Sequence, residues 1–129
     1  MLIEACMAKI HRATVTQADL NYVGSITIDQ DLLDAAGMVP FQYVNITNRS
    51  NGVFWRTYIM AGERGNGDIC LNGPPARHFQ PGDEIIILAE VWLEPSEMKD
   101  LNPVVVFVDK ANRVTEVKRH SAIPHGTSR

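Results

Sequence analysis

A chain of 129 residues, 45% of them hydrophobic, suits one compact domain with a real core and leaves little room for a second. Its net charge of −3 gives no electrostatic footprint for nucleic acid, and no basic stripe is interleaved with aromatic residues. Two cysteines in no metal-ligand spacing, no leader-like N-terminus, and apolar stretches far short of the roughly 20 residues of a membrane helix point to a reduced, cytoplasmic protein with no membrane or nucleic-acid partner.

Runs of Val, Ile, Thr and aromatic residues recur between Gly, Pro, Asn and Asp clusters, the pattern of an all-β, β-dominated domain with one or two short helices. In chain order the runs predict strands near 2–8, 12–16, 23–28, 42–48, 53–61, 67–71, 84–92 and 104–109. Gln17 to Leu20 has room for a single turn. Asp29 to Ala36 is acidic at its start, carries Leu32, Leu33 and Ala36 at helical spacing and meets Gly37 as a stop, which predicts a short helix. Asn51-Gly52 predicts a type I′ hairpin turn, with positive φ at both residues. The segment 95–102, bounded by Pro95 and Pro103, predicts a second short helix or a surface loop. Apolar periodicity ends near 117, so residues 1–117 are expected to form the domain and 118–129 a mobile tail. So many short strands in so small a chain suggest a barrel, which has no exposed edge.

One run stands apart, Tyr22-Val23-Gly24-Ser25-Ile26-Thr27-Ile28-Asp29, which sets a Gly-Ser bond among strand-forming residues. Gly-Ser pairs are ordinary turn and bulge material. A serine hydroxyl can nevertheless attack the carbonyl before it, and glycine hinders that carbonyl least. With its setting, from Lys9-Ile10-His11-Arg12 through Gln17-Ala18-Asp19-Leu20-Asn21 to Asp29-Gln30-Asp31-Leu32-Leu33-Asp34-Ala35-Ala36-Gly37, the run resembles the pyruvoyl-dependent aspartate 1-decarboxylase family. The match extends through most of residues 7–109.

That resemblance implies a double-psi β-barrel that assembles as a homotetramer with active sites between subunits. It implies that Ser25 attacks the Gly24 carbonyl, that the chain splits into 1–24 and 25–129, and that Ser25 becomes a pyruvoyl group. That group would take the substrate amine as a Schiff base and act as the electron sink, with no metal and no pyridoxal phosphate. Thr57 would polarise the Gly24 carbonyl during cleavage and Tyr58 would be the proton donor. Asn72-Gly73 would hold substrate, and Lys9 and His11, on one face of an extended segment, would contribute to the pocket and pack against Tyr22. The resemblance leaves room for a maturation factor.

The pattern breaks at two places. Where relatives carry an arginine that grips a substrate carboxylate, this chain has Phe54, which has neither charge nor donors. Arg56, two residues on and on the same face of a regular strand, is the candidate replacement. After Asn72-Gly73 come Pro74 and Pro75, which remove two backbone donors where relatives have small residues. The leading expectation is decarboxylation of L-aspartate to β-alanine. A family paralogue acting on another amino acid and an unprocessed, non-enzymatic barrel are the alternatives.

Overall fold

A computed structural model describes residues 1–121. Its strands are β1 (Ile3–Thr14), β2 (Ser25–Asp29), β3 (Tyr43–Asn48), β4 (Phe54–Gly62), β5 (Ile69–Asn72), β6 (Glu84–Leu93), β7 (Val104–Val108) and β8 (Val114–Arg119). One α-helix, α1 (Gln30–Ala36), and two 3-10 turns, Pro74–Arg77 and Pro95–Asp100, complete the elements. Hydrogen bonding orders the strands β5-β2-β4-β3-β6-β1-β7-β8. β2 and β4 run parallel, as do β1 and β7, and the other neighbours are antiparallel. The sheet curls into a half-barrel, consistent with the double-psi β-barrel.

The core lies inside the curl. Val44 and Ile46 of β3, Ile85, Ile87 and Ala89 of β6 and Ile59 of β4 are wholly buried, and Leu32 and Leu33 of α1 close one side. Burial of each such Leu or Ile stabilises by roughly 1.5–3 kcal/mol.

The structure departs from sequence expectation in β1, which is one strand where two were expected. Its register slips between Cys6 and Ala8 and again between His11 and Ala13. Buried residues therefore fall at Ala5, Ala8, Ile10 and Ala13, a spacing that period-2 alternation does not produce. Arg12, at the second slip, has φ of 65°. The expected turn at Gln17 to Leu20 is displaced: Gln17 bridges to Cys70, and the turn closes through Tyr22 N–H to the Asp19 carbonyl. At Asn51-Gly52 only Gly52 has positive φ, so the hairpin is not type I′. Asn48 closes a four-residue loop instead, accepting from Gly52 N–H and donating to the Val53 carbonyl. Lys118 and Arg119, assigned to the tail, belong to β8; residues 122–129 lie outside the described part of the chain.

Two buried polar side chains tie the loops to the barrel. Asn112, at φ 60°, accepts from Thr14 N–H (2.8 Å) and donates to the carbonyls of Thr14 (2.9 Å) and Gly67 (2.8 Å). Asp29 caps α1 by accepting from Asp31 N–H (2.8 Å), and the same carboxylate takes the Gly65 (3.1 Å) and Gly67 (2.7 Å) N–H groups. Burial alone would raise its pKa. The backbone donors at Gly67, Asp31 and Gly65, with Arg113 nearby, outweigh that and hold it below the ordinary 3.8.

A lowered folded-state pKa means Asp29 stabilises the fold fully above its ordinary value. That stabilisation is lost as the pH falls through the lower folded value. Urea unfolding across a pH series should therefore steepen in its pH dependence below about 4. Asp29→Asn should flatten that dependence and lower stability at neutral pH by about 2 kcal/mol, because its NH2 group would face a buried N–H.

Candidate functional site

β2 begins at Ser25 and lies between β5 and β4. Ser25 pairs with Asn72, and Ile26 pairs with Leu71 on one side and Ile59 on the other. Extended backwards, the parallel register sets Ser25 beside Tyr58 and Gly24 beside Thr57. Gly24-Ser25, Thr57-Tyr58 and Asn72-Gly73, scattered over some fifty positions, thus meet at one end of a three-strand unit.

The Gly24-Ser25 bond is enclosed and strained. Ser25 is only 8% exposed and has φ of 129°, a backbone state that costs a residue with a side chain about 1–3 kcal/mol. Gly73, just after β5, packs against Gly24. Its φ of 76° suits glycine, and a Cβ there would lie 2.8 Å from Gly24 Cα and 3.0 Å from Gly24 N. On the other side, the Pro74 ring sits 3.6 Å from where a Cβ of Gly24 would be. Pro74 and Pro75 start the 3-10 turn at Pro74–Arg77, where the missing N–H groups have no helical partner to lose. The Pro74 ring thus packs against Gly24, and both prolines line a cavity at Ser25.

Asn72 supports the segment ahead of the bond. Its Oδ1 accepts from Asp19 N–H (2.8 Å) and its Nδ2 donates to Gln17 Oε1 (3.0 Å), while Gly73 N–H donates to the Asp19 carbonyl (2.9 Å). That amide thus holds the 17–19 loop while the residue also lines a cavity at Ser25, so a hold on substrate would be in addition to that tie. Gln17 and Asp19 were not singled out from sequence, because nothing local marks their link to a residue more than fifty positions on.

Two adjoining cavities share Val23, Gly24, Ser25 and Tyr58. One, of about 380 Å³, adds Gln17, Tyr22, Thr27, Met60, Cys70 and Asn72 among its walls. The other, of about 280 Å³, adds Trp55, Arg56, Thr57, Pro74 and Pro75. Tyr58 is held at the junction, stacked on Phe41 and edge-on to Tyr43, both at 6.0 Å between ring centroids. Cys70 opens onto the larger cavity, and burial pushes its thiol pKa up, so it stays a protonated, weak nucleophile.

Lys9 and His11 are not brought to this site within the chain. They lie on β1, separated from β4 by β3 and β6, and line neither cavity at Ser25. His11 packs edge-on against Phe107 at 5.5 Å, not against Tyr22, and burial followed by the charges of Lys9, Arg12 and Arg49 lowers its pKa. Phe54 is 62% exposed on the same face of β4 as Arg56 and Tyr58, paired across from Thr47, and lines neither cavity. Among the described residues no group of three or more His, Cys, Asp or Glu could hold a metal ion.

This arrangement offers a serine hydroxyl next to a strained, glycine-terminated carbonyl, with a threonine and a tyrosine from the neighbouring strand. It can support acyl transfer from nitrogen to oxygen within the chain. The family model described as aspartate decarboxylase matches residues 1–115. A protein named aspartate 1-decarboxylase from Ruminiclostridium cellulolyticum is 54% identical over 89% of this chain and 90% of its own length. Proteins of the same name from Caldicellulosiruptor saccharolyticus (51% identical, over 91% of each chain) and Parabacteroides distasonis (53%, over 86% and 96%) are similar.

Proposed function

Because the chain belongs to the aspartate decarboxylase family, we propose that it cuts itself between Gly24 and Ser25 and then, as a pyruvoyl enzyme, converts L-aspartate to β-alanine and CO2. The observation that carries this reading is the buried, strained Ser25 at φ 129°, with Gly73 packed against the bond before it. The relatives' shared name favours aspartate over another amino acid and over an unprocessed scaffold.

Processing uses the chain's own atoms. Ser25 Oγ attacks the Gly24 carbonyl carbon, the C–N bond breaks, the nitrogen takes up a proton, and an ester links the two residues. Thr57, beside Gly24, donates a hydrogen bond to the developing oxyanion. Elimination across Cα–Cβ of residue 25 then releases the Gly24 carboxylate, and hydrolysis of the remaining enamine releases ammonia and leaves a ketone at position 25. The strain at Ser25 raises the starting state, which lowers the barrier of the first step to the extent that the tetrahedral state relieves it.

The residues around position 25 fit a pyruvoyl group. Ser25 is itself buried, and two cavities of about 380 and 280 Å³ meet at it, with room for a small amino acid. Once formed, that group supplies the ketone an α-amino acid needs as an electron sink for loss of CO2. Tyr58, fixed by Phe41 and Tyr43, gives a proton to the substrate's α-carbon, and Tyr22 and Asn72 wall the space around it.

Lys9 and His11 join such a site only from a second copy. Together with the exposed Phe41, Tyr43, Phe54 and Met60 on the site face, this supports a homotetramer with sites between subunits. A maturation factor that tightens the loop at residues 17–24 would accelerate the cut. Cys6 and Cys70 are both free thiols, in keeping with a cytoplasmic setting. No helix among the described residues is long and apolar enough to cross a membrane.

Intact-mass measurement of the purified protein, followed by CO2 release from L-aspartate, tests the reading. The expected result is two fragments split after residue 24, a ketone at the new terminus, and turnover. A single uncut species that persists after warm incubation, or a cut protein inert toward aspartate, would sink it.

A further inference from the structure

L-aspartate carries a second carboxylate, remote from the one that leaves. A site selective for it needs a cation near Ser25 that does not hold the departing group. Arg56 is the sole charged residue among those lining the two cavities that share Ser25. Its guanidinium is already oriented. Nη1 donates to Asn45 Oδ1 (3.1 Å) and pairs with Glu90 Oε1 (3.3 Å), and Cζ sits over the Tyr43 ring, 5.2 Å from its centroid. Asn45 in turn donates to the same Glu90 oxygen. The Nε and Nη2 groups have no hydrogen-bond partner among the described residues, so one edge of the planar fork is open. Two parallel N–H donors on one edge are the geometry that grips a carboxylate from two points.

Resting on the aspartate reading above, we infer that Arg56 recognises the side-chain carboxylate of the substrate, with Glu90, Asn45 and Tyr43 as positioning residues. The ion pair with Glu90 does not compete for the open edge. It fixes the rotamer, so that less side-chain freedom is lost when substrate binds. Phe54, exposed and apolar two residues earlier, takes no part in this recognition.

Because the gripped carboxylate is remote from the bond that breaks, its loss weakens ground state and transition state alike. The effect belongs in KM. In Arg56→Gln the KM for L-aspartate should rise about 30-fold or more with kcat little changed. The inhibition constant of L-asparagine, the same shape without the charge, should move by less than about threefold, since it has no charge-assisted bond to lose. Arg56→Lys, which keeps the charge and loses the fork, should fall between. Glu90→Gln should raise the aspartate KM by a smaller factor, as Arg56 loses an anchor and not its charge. The inference is overturned if Arg56→Gln leaves the aspartate KM within about twofold, or raises it in step with the asparagine constant. It is also overturned if that variant stays uncut by intact mass, which would move Arg56 to the processing step. A wild-type protein that never cuts or never releases CO2 from aspartate would instead defeat the functional reading beneath it.

Discussion

A Ser25→Ala protein is expected to remain one 129-residue chain indefinitely and to release no CO2 from aspartate. The methyl group has no lone pair to attack the Gly24 carbonyl, and no other hydroxyl stands next to that carbonyl in sequence. Alanine meets the same steric cost as serine at φ 129°, so the substitution leaves the backbone strain in place. Urea unfolding of the variant should therefore match that of uncut wild type within about 1 kcal/mol. Loss of cleavage with the fold retained would assign the chemistry to the hydroxyl alone. Residual cleavage at residue 24, seen as a second species by intact mass, would mean that some other group or solvent opens the bond.

Gly73→Ala is expected to act on the same bond by a different route. Its new methyl would sit 2.8 Å from Gly24 Cα, against backbone and not against the end of a flexible side chain, so the 22–24 segment must move away. The φ of 76° adds strain of its own. Together these should lower stability by about 2–4 kcal/mol. Displacement of Gly24 also pulls its carbonyl from Ser25 and Thr57, and a misplacement of about 1 Å is enough to slow a positioned reaction by roughly a hundredfold. The time course of fragment appearance measures this directly. A Gly73→Ala chain that cuts at the wild-type rate would show that the close packing at Gly24 is incidental to processing.

Local signals carried much of this fold. Asp29, the Leu32-Leu33-Ala36 spacing and Gly37 mark α1 because cap, apolar face and stop all fall within nine residues. β8 went unseen because Val114 to Arg119 are exposed along their whole length, so no buried face imposes alternation on the sequence. β1 was split in two because its bulges break the period that defines a strand. The site divides the same way. Gly24-Ser25, Thr57-Tyr58 and Asn72-Gly73 could be named from their pattern, and adjacent strands bring them together. The ties of Asn72 to Gln17 and Asp19, the bond between Arg56 and Glu90, and the ties from Asp29 and Asn112 to the 65–67 loop span 34 to 55 positions. Such links depend on strand register, which no short window of sequence contains. Lys9 and His11 were legible as a pair but belong to a face that a single chain keeps away from Ser25.

The place of β1 in the sheet has a further consequence if the bond at residue 24 opens as proposed. β1 is not an edge: it is hydrogen-bonded to β6 on one side and to β7 on the other, and it contributes Ala8, Ile10 and Ala13 to the core. The short piece 1–24 therefore cannot peel away without tearing the middle of the barrel. On the proposed cut, the mature protein would be a lasting complex of two chains that began as one, and its folding would change order with processing. Before processing the chain finds its fold in a unimolecular reaction. Afterwards, recovery from denaturant requires two molecules to meet, becomes dependent on concentration, and competes with aggregation of a larger piece left with two unpaired strand edges where β1 had been. A barrel processed in this way would be assembled once, uncut, and preserved afterwards by the slowness of its unfolding.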